Sequence, residues 1–491
     1  MKRRRLAPAL VTCLPAELLQ YIALFLADSE TFFACLDAFQ ACNLLGDLLC
    51  FTKLRETMEP CCLWPQVRLG HSPTPSELAS LEIAVKYTTG IQLGGIFDVH
   101  WLHRPSFAVT TISVYLKACP FEVPSLAMVH DWSIQLPRLS VRHLDIPAIH
   151  VEALQPLFTA ESSLSSLRLD LGSYPDALET ILAFLRVSKL TSLTLDSSTS
   201  CCTSYSIPPH LFPHLISWLR REPVESLCLS YLDFRPVELL LPAFFDALAL
   251  STSLEHLTLK HSTLPVFSCQ SLPPLKNFAV DECFMSSQAF SSLCSALNAS
   301  DISSFTLTRH PVTWDASRGS IGDLVAGSSK LTTLVLRQMT LGEEDARQLC
   351  AGLKRSNVAE LRLQDIGFRG RGLQILTEAL PAIKSLRKLG LHGDFIGDRT
   401  CRCVGKILRA STLEHLDFSR NNITDMGAFH LSRGIAGPTK LKRLLLDYNR
   451  ITVTGASALQ RSFRRRTSIS LQGNAMTPQD IAGLCGIAPT V

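Results

Sequence analysis

The sequence predicts an α/β solenoid, with a parallel sheet on a concave side and helices on a convex side, behind a small all-α module. Three observations carry that expectation. A six-residue apolar pattern recurs thirteen times along the chain. Helix-length segments with one apolar face separate many of the recurrences, and the regular pattern occupies 136–491, behind a strongly apolar helical start. Repeats that stack in one dimension also accommodate 491 residues without dividing them among several ordinary domains.

The composition supports a packed chain. It is 46% hydrophobic and 18% charged, far from the make-up of a disordered protein. A net charge of +4 gives no electrostatic case for nucleic acid as the main ligand. The seventeen cysteines have no repeated spacing, and Cys35, Cys294, Cys350 and Cys401 fall at apolar positions of predicted helices. They read as reduced, small core residues, which suits the cytoplasm or the nucleus.

The first element is "LPAELLQYIALFLADSETFF" at 14–33, close behind "MKRRR". A secretion signal needs an unbroken apolar run, and Pro8, Pro15 and Glu17 interrupt this one. Its uncharged stretches, 6–16 and 18–27, are about half the roughly 20 residues of a membrane-spanning helix, and no later segment reaches that length without a charge or a proline cluster. The reading is therefore no membrane span. Pro15 suits a first helical turn, and Leu18, Ile22, Phe25 and Leu26 then follow helical spacing. Asp28 and Ser29 can stop that helix and cap a second from about Thr31, with Phe32, Leu36 and Phe39 on its apolar face. The helical module is expected over 1–65. Residues 66–135 follow as a connecting region whose short apolar runs, such as "ISVYL" at 112, are compatible with degenerate early repeats.

The repeated pattern is L-x-x-L-x-L. Clear examples are "LSSLRL" at 164, "LTSLTL" at 190, "LEHLTL" at 254, "LTTLVL" at 331, "VAELRL" at 358, "LRKLGL" at 386, "LEHLDF" at 413 and "LKRLLL" at 441. From 302 onward the starts lie 29, 27, 28, 27, 28 and 25 residues apart, room for a short strand, a loop and a helix. One such helix is visible in "LGEEDARQLCAGL" at 341–353, where Ala346, Leu349, Cys350 and Leu353 share a face. Asn421, Asn449 and Asn474 stand three residues past the last apolar position of their units, where a side-chain amide can bond the turn backbone. Earlier units carry Gly172, Ser198, Leu232, Ser262, Cys283 or His310 there. The step from 254 to 275 contains "LPVFSCQSLPP", too rich in proline for a regular helix.

These units resemble leucine-rich repeats of the long, helix-containing kind found in ribonuclease inhibitor. The resemblance implies a parallel sheet lining the hollow of a curved stack. The N-terminal residues Leu14, Pro15, Glu17, Leu18, Leu19, Ile22 and Leu26, with Leu63-Trp64, resemble an F-box. F-box proteins with such repeats generally act as substrate receptors of cullin-RING ubiquitin ligases. The resemblance implies a Skp-family adaptor bound by the F-box-like helices, a protein substrate bound by the repeats, and a monomer within a larger complex. Leu14, Pro15, Leu18 and Ile22 are the expected adaptor anchors. The alternative is a stand-alone repeat scaffold or inhibitor, its first helices serving only as the cap that a solenoid needs.

Positions between the motif leucines point out of the sheet. In the C-terminal units they are expected to include Arg362, Gln364, His392, Asp417, Arg420, Arg443, Asp447 and Tyr448, a mixture of charge and aromatic character suited to a protein partner. Ser226, Thr258 and Thr306 farther back are small and polar. No phosphate-binding loop, nucleophile elbow or zincin motif occurs, and Cys61-Cys62, Cys201-Cys202 and the Cys401/Cys403 pair lack a second pair at zinc-like spacing. The expectation is a non-enzyme without catalytic residues, metal or cofactor.

Overall fold

The computed structural model describes residues 16–40, 44–95, 98–116, 126–197, 204–309, 321–368, 371–393, 396–462, 468–477 and 480. Leu14, Pro15, Ser198, Cys201, Cys202 and His310 lie outside them. The chain divides into two compact units between Cys201 and Cys202.

The first unit opens with α1 (Ala16–Leu24), α2 (Ser29–Gln40) and α3 (Leu49–Leu54). Helix α2 starts two residues earlier than its spacing predicts, because Asp28 Oδ1 accepts the Thr31 N–H at 2.7 Å and caps the first turn. The module packs around aromatic rings. Trp64 stacks on Phe32 with centroids 4.0 Å apart, meets Phe51 edge-on at 5.9 Å, and donates its indole N–H to the Leu26 carbonyl at 2.6 Å. Trp64 thereby ties the end of the first helical segment to the second and third.

Strands β1 (Val67–Leu69), β2 (Ile91–Leu93), β3 (Ile112–Tyr115), β4 (Val141–Pro147), β5 (Ser166–Asp170) and β6 (Ser192–Asp196) then pair in sequence order, all parallel. The helices among them are α4 (Pro75–Ala84), α5 (Leu126–Gln135) and α6 (Asp176–Leu185). Residues 66–135 thus supply three strands of the sheet. Each is only three or four residues long, too short to display the full hexad.

The second unit contains β7 (Tyr205–Ser206), β8 (Ser226–Ser230), β9 (Leu232–Asp233), β10 (His256–Lys260), β11 (Thr263–Leu264), β12 (Asn277–Asp281), β13 (Phe284–Met285) and β14 (Ser304–Thr308). It continues with β15 (Thr333–Arg337), β16 (Thr340–Leu341), β17 (Glu360–Gln364), β18 (Gly367–Phe368), β19 (Lys388–His392), β20 (His415–Asp417), β21 (Arg443–Leu445) and β22 (Ser468–Ser470). The strands of the repeated motif, from β8 to β22, form one parallel sheet; the two-residue strands pair among themselves beside it. The helices are α7 (Phe212–Arg221), α8 (Leu241–Ala249), α9 (Ser287–Asn298), α10 (Ile321–Gly327), α11 (Glu343–Arg355), α12 (Gly372–Ala379), α13 (Asp398–Ile407), α14 (Asp425–Ile435) and α15 (Val453–Arg461). The proline-rich link between β10 and β12 contains no helix. The motif leucines are the core: Val358, Leu361 and Leu363 are fully buried, as are their counterparts Leu391, Leu444 and Leu446.

Two backbone ladders end the strands. The residue after each five-residue strand from β8 to β19 adopts left-handed φ in turn, namely Tyr231, His261, Glu282, Arg309, Gln338, Asp365 and Gly393. After the three-residue strands β20, β21 and β22 the same motif position, Arg420, Tyr448 and Gly473, does so three residues past the strand. Where the next strand is described, its amide reaches a carbonyl there, as Asp365 N–H does to His392 O at 2.8 Å and Arg420 N–H to Asp447 O at 2.8 Å. That bond offsets the roughly 1–2 kcal/mol of left-handed strain at a residue with a Cβ. The second ladder is the asparagine one. Asn449 donates to Phe418 O at 2.9 Å and Leu446 O at 3.0 Å and accepts Ile423 N–H at 3.1 Å; Asn421 and Asn474 repeat the arrangement one unit to either side. Ser262 substitutes for it farther back, accepting Leu232 N–H at 3.1 Å and donating to Lys260 O at 2.7 Å.

Candidate functional site

The parallel register sets side chains in rows across the open face of the second unit's sheet. One row runs Thr333, Glu360, Lys388, His415, Arg443, Ser468, and the next Val335, Arg362, Gly390, Asp417, Leu445, Ser470. A third holds Arg337, Gln364 and His392. Toward the earlier repeats the second row contains Cys228, Thr258, Ala279 and Thr306, all uncharged. Ser226 does not join Thr258 and Thr306 there; it stands two residues before Cys228 and sits opposite His256 in the first row. Charge therefore enters the second row at Arg362.

Gly390 leaves a gap in that row. Its neighbours surround a notch of about 300 Å³ lined by Glu360, Arg362, Lys388, His392, His415, Asp417, Arg443 and Leu445, with Leu389, Gly390 and Leu416 completing it. A Cβ on Gly390 would already stand 3.3 Å from His392 Nε2 and 3.6 Å from Arg362 Cγ. Leucine and phenylalanine, which fill a β-strand well, would occupy the space.

The charges are partly paired. Glu360 bridges Arg362 at 2.5 Å and Lys388 at 3.1 Å. Burial raises its pKa, but the bonds from Lys388 and Arg362 outweigh that and hold the carboxyl below its usual range. Asp417 Oδ2 lies 3.1 Å from His392 Nε2, and its Oδ1 accepts Ser419 N–H at 3.0 Å and Ser419 O–H at 2.6 Å. Burial again pushes upward, and the His392 and Ser419 bonds bring the net shift below the usual value. Both carboxylates are ionised at neutral pH. The Arg443 guanidinium has no ion pair or hydrogen bond among the described residues.

Of the residues expected on this face, Arg362, His392, Asp417 and Arg443 line the notch, and Gln364 lies beside His392 in register. Arg420 and Tyr448 stand instead on the left-handed turns, where the guanidinium lies 5.1 Å from the ring centre. Asp447 is engaged by Ser470 O–H at 2.6 Å and Gln472 N–H at 2.7 Å, so its oxygens serve the turn. Glu360, Lys388, Gly390 and His415 were not among the expected residues. Period-two counting back from Arg362, His392 and Asp417 along their strands reaches all four.

On the N-terminal module, Leu18 and Ile22 are 46% and 44% exposed, with Tyr21 at 64% and Phe25 at 76%. Ala23 is buried, and Gln20 anchors the helix by donating to Leu45 O at 3.1 Å. Helix α1 therefore turns Leu18, Tyr21 and Ile22 outward, with Phe25 directly after it, at i, i+3, i+4 and i+7 spacing. Leu26 is half-buried rather than part of that stripe.

Burial pushes the Cys50, Cys283 and Cys294 thiols up to about 12, and those of Cys269 and Cys350 up to about 11, so they stay protonated. Cys401 is raised further by burial and Asp398. Among the described residues, one group of possible metal donors converges: Glu59, Cys61 and Cys62, within 4.8 Å of one another near the surface. No described helix is long and apolar enough to cross a membrane.

The Leucine Rich repeat family matches residues 409–432 and 437–459. Ribonuclease inhibitor of Sus scrofa is 26% identical over 175 residues, 34% of this chain and 38% of that protein. The chain carries leucine-rich repeats. Together with the parallel sheet and its helices, this makes the fold an α/β leucine-rich-repeat architecture. The match covers less than half the length of the curated relative. Solved structures similar to this chain include a TLR13–ssRNA13 complex, 17% identical with a TM-score of 0.38 over 86% of this chain and 61% of that one. An internalin from Listeria monocytogenes is 12% identical with a TM-score of 0.29, over 90% of this chain and 93% of its own. The leucine-rich-repeat-containing protein LegL7 of Legionella pneumophila is 17% identical with a TM-score of 0.34, over 60% and 87%.

Proposed function

We propose that this protein is an adaptor for ubiquitination, whose N-terminal helices dock a Skp-family adaptor while the open face of its C-terminal repeats holds a protein substrate. The observation that carries the reading is the outward stripe Leu18, Tyr21, Ile22 and Phe25. Apolar side chains of this size favour burial by about 1.5–3 kcal/mol each, and a cluster left in water on a helix marks a helix-in-groove contact. Leu14 and Pro15 extend the same anchor set. Ubiquitin transfer itself would belong to other subunits, and the protein is monomeric within that complex, in the cytoplasm or nucleus.

Co-expression of the full chain with a Skp-family adaptor tests this. The pair should co-purify, and Leu18→Asp with Ile22→Asp should abolish recovery while leaving the unfolding transition in place. Absence of a complex with the unaltered chain would sink the ligase reading. A second reading, a stand-alone scaffold or inhibitor, draws on the similarity to ribonuclease inhibitor; it expects no adaptor complex and a partner held by the repeats alone.

A further inference from the structure

The notch at Gly390 has a charge imbalance as well as a shape. Three permanent cations, Arg362, Lys388 and Arg443, face two carboxylates, Glu360 and Asp417. Glu360 is shared between Arg362 and Lys388, and Asp417 is taken by His392 and Ser419. Arg443 is left without a partner among the described residues. It lies in the row Lys388, His415, Arg443, so Lys388 and Arg443 stand two strand spacings apart, roughly 10 Å, with a histidine between them. Next to this row Gly390 and Leu445 are uncharged and flank Asp417, whose carboxylate oxygens are engaged by His392 and Ser419.

We infer that the notch is a subsite for one acidic side chain of a bound protein, a carboxylate or a phosphorylated hydroxyl, set over His415 between Lys388 and Arg443 with its stem against Gly390 and Leu445. This rests on the proposal that the open face holds a protein, and is independent of the adaptor contact. An anionic group there meets Arg443 and the outer face of Lys388, adding the counter-charge that the notch lacks. The gap admits a stem of two or three carbons because position 390 has no side chain. A cationic side chain would have to displace His392 or Arg362 from its carboxylate, and would face Arg443 unshielded. Specificity follows from that repulsion as much as from the attraction. Neutral and acidic groups at the ends of the row, Thr333, Glu360 and Ser468, leave no extended basic track of the kind that a nucleic-acid backbone requires.

A synthetic peptide array tests the assignment. The same set of randomised ten-residue backgrounds carries Glu, phosphoserine, Ser or Lys at one fixed position, and the full chain is the probe. Peptides with Glu or phosphoserine should be retained about tenfold more than their Ser counterparts, and Lys least. Whichever anion is retained more identifies the source of the charge. Arg443→Glu should erase or invert the order, and Gly390→Leu should erase it with no loss of thermal stability. Equal retention of Glu, phosphoserine, Ser and Lys peptides overturns the inference, as does retention of none, or an acidic preference that survives both variants. Adaptor co-purification is read at the other end of the chain, so failure of the ligase reading and failure of this subsite give different results.

Discussion

Replacing Asn449 by alanine puts the repeat architecture to a quantitative test. Asn449 is 7% exposed and satisfies four backbone groups: Ile423 N–H at 3.1 Å, Phe418 O at 2.9 Å, Leu446 O at 3.0 Å and Asp447 O at 3.3 Å. The three carbonyls have other donors, since Asn421 reaches Phe418 O at 3.0 Å, Asn474 reaches Leu446 O at 2.8 Å and Arg420 N–H reaches Asp447 O at 2.8 Å. The Ile423 amide has none. Leaving a buried N–H unsatisfied costs about 1–3 kcal/mol, and each thinned carbonyl bond adds about 0.5 kcal/mol. The expected loss is about 3 kcal/mol. Urea unfolding of the full chain measures it, and amide hydrogen exchange localises it, which matters because repeat arrays can unfold in parts. Exchange at Ile423 should accelerate most. A loss below about 1 kcal/mol, or unchanged exchange at Ile423, would refute the ladder as a source of stability.

Other outcomes follow from the same reasoning. Asp417→Asn should lower thermal stability at pH 7 but much less at pH 3: the folded-state pKa of Asp417 is depressed, so its contribution is present above its unfolded value near 3.8 and is lost as pH falls through the folded value. A stability difference independent of pH would contradict this. Gly434→Ala should be destabilising although alanine favours helices by about 1 kcal/mol, because its Cβ would lie 2.4 Å from Gly405 O where α14 crosses α13; Gly70→Ala, with open space around it, should be near neutral in the same melting assay. Trp64→Ala should cost about 3–5 kcal/mol by emptying the stack on Phe32 and orphaning Leu26 O, and it should also weaken adaptor capture. Leu18→Asp should weaken capture with little change in stability, and equal losses of stability in the two variants would contradict the exposed placement of Leu18.

Much of the fold was legible because the hexad repeats a core requirement. Leu361 and Leu363 must be apolar wherever a repeat stacks, so the same letters recur, and Asn449 recurs because the turn backbone must be satisfied. The early strands were hard to read because Val67–Leu69 and Ile91–Leu93 bury only two apolar residues each, too few for a period. The left-handed rungs carry no shared letter: Tyr231, Glu282, Asp365 and Arg420 occupy one conformation, since a hydrogen bond to the next strand sets it rather than residue type. The notch escaped for a related reason. Its defining feature is a missing side chain at Gly390, which in "LRKLGL" reads as a weak strand residue until the neighbouring strands bring Arg362 and Asp417 beside it.

Helix α1 is where an adaptor contact would be read most directly. Hydrogen–deuterium exchange of the full chain, with and without a Skp-family adaptor, locates the contact. Residues 16–26 should gain protection while the strands from β17 to β21 exchange as before, and Leu18→Asp with Ile22→Asp should remove the gain. Unchanged exchange across residues 16–26 at saturating adaptor, or protection confined to the repeats, would contradict that contact.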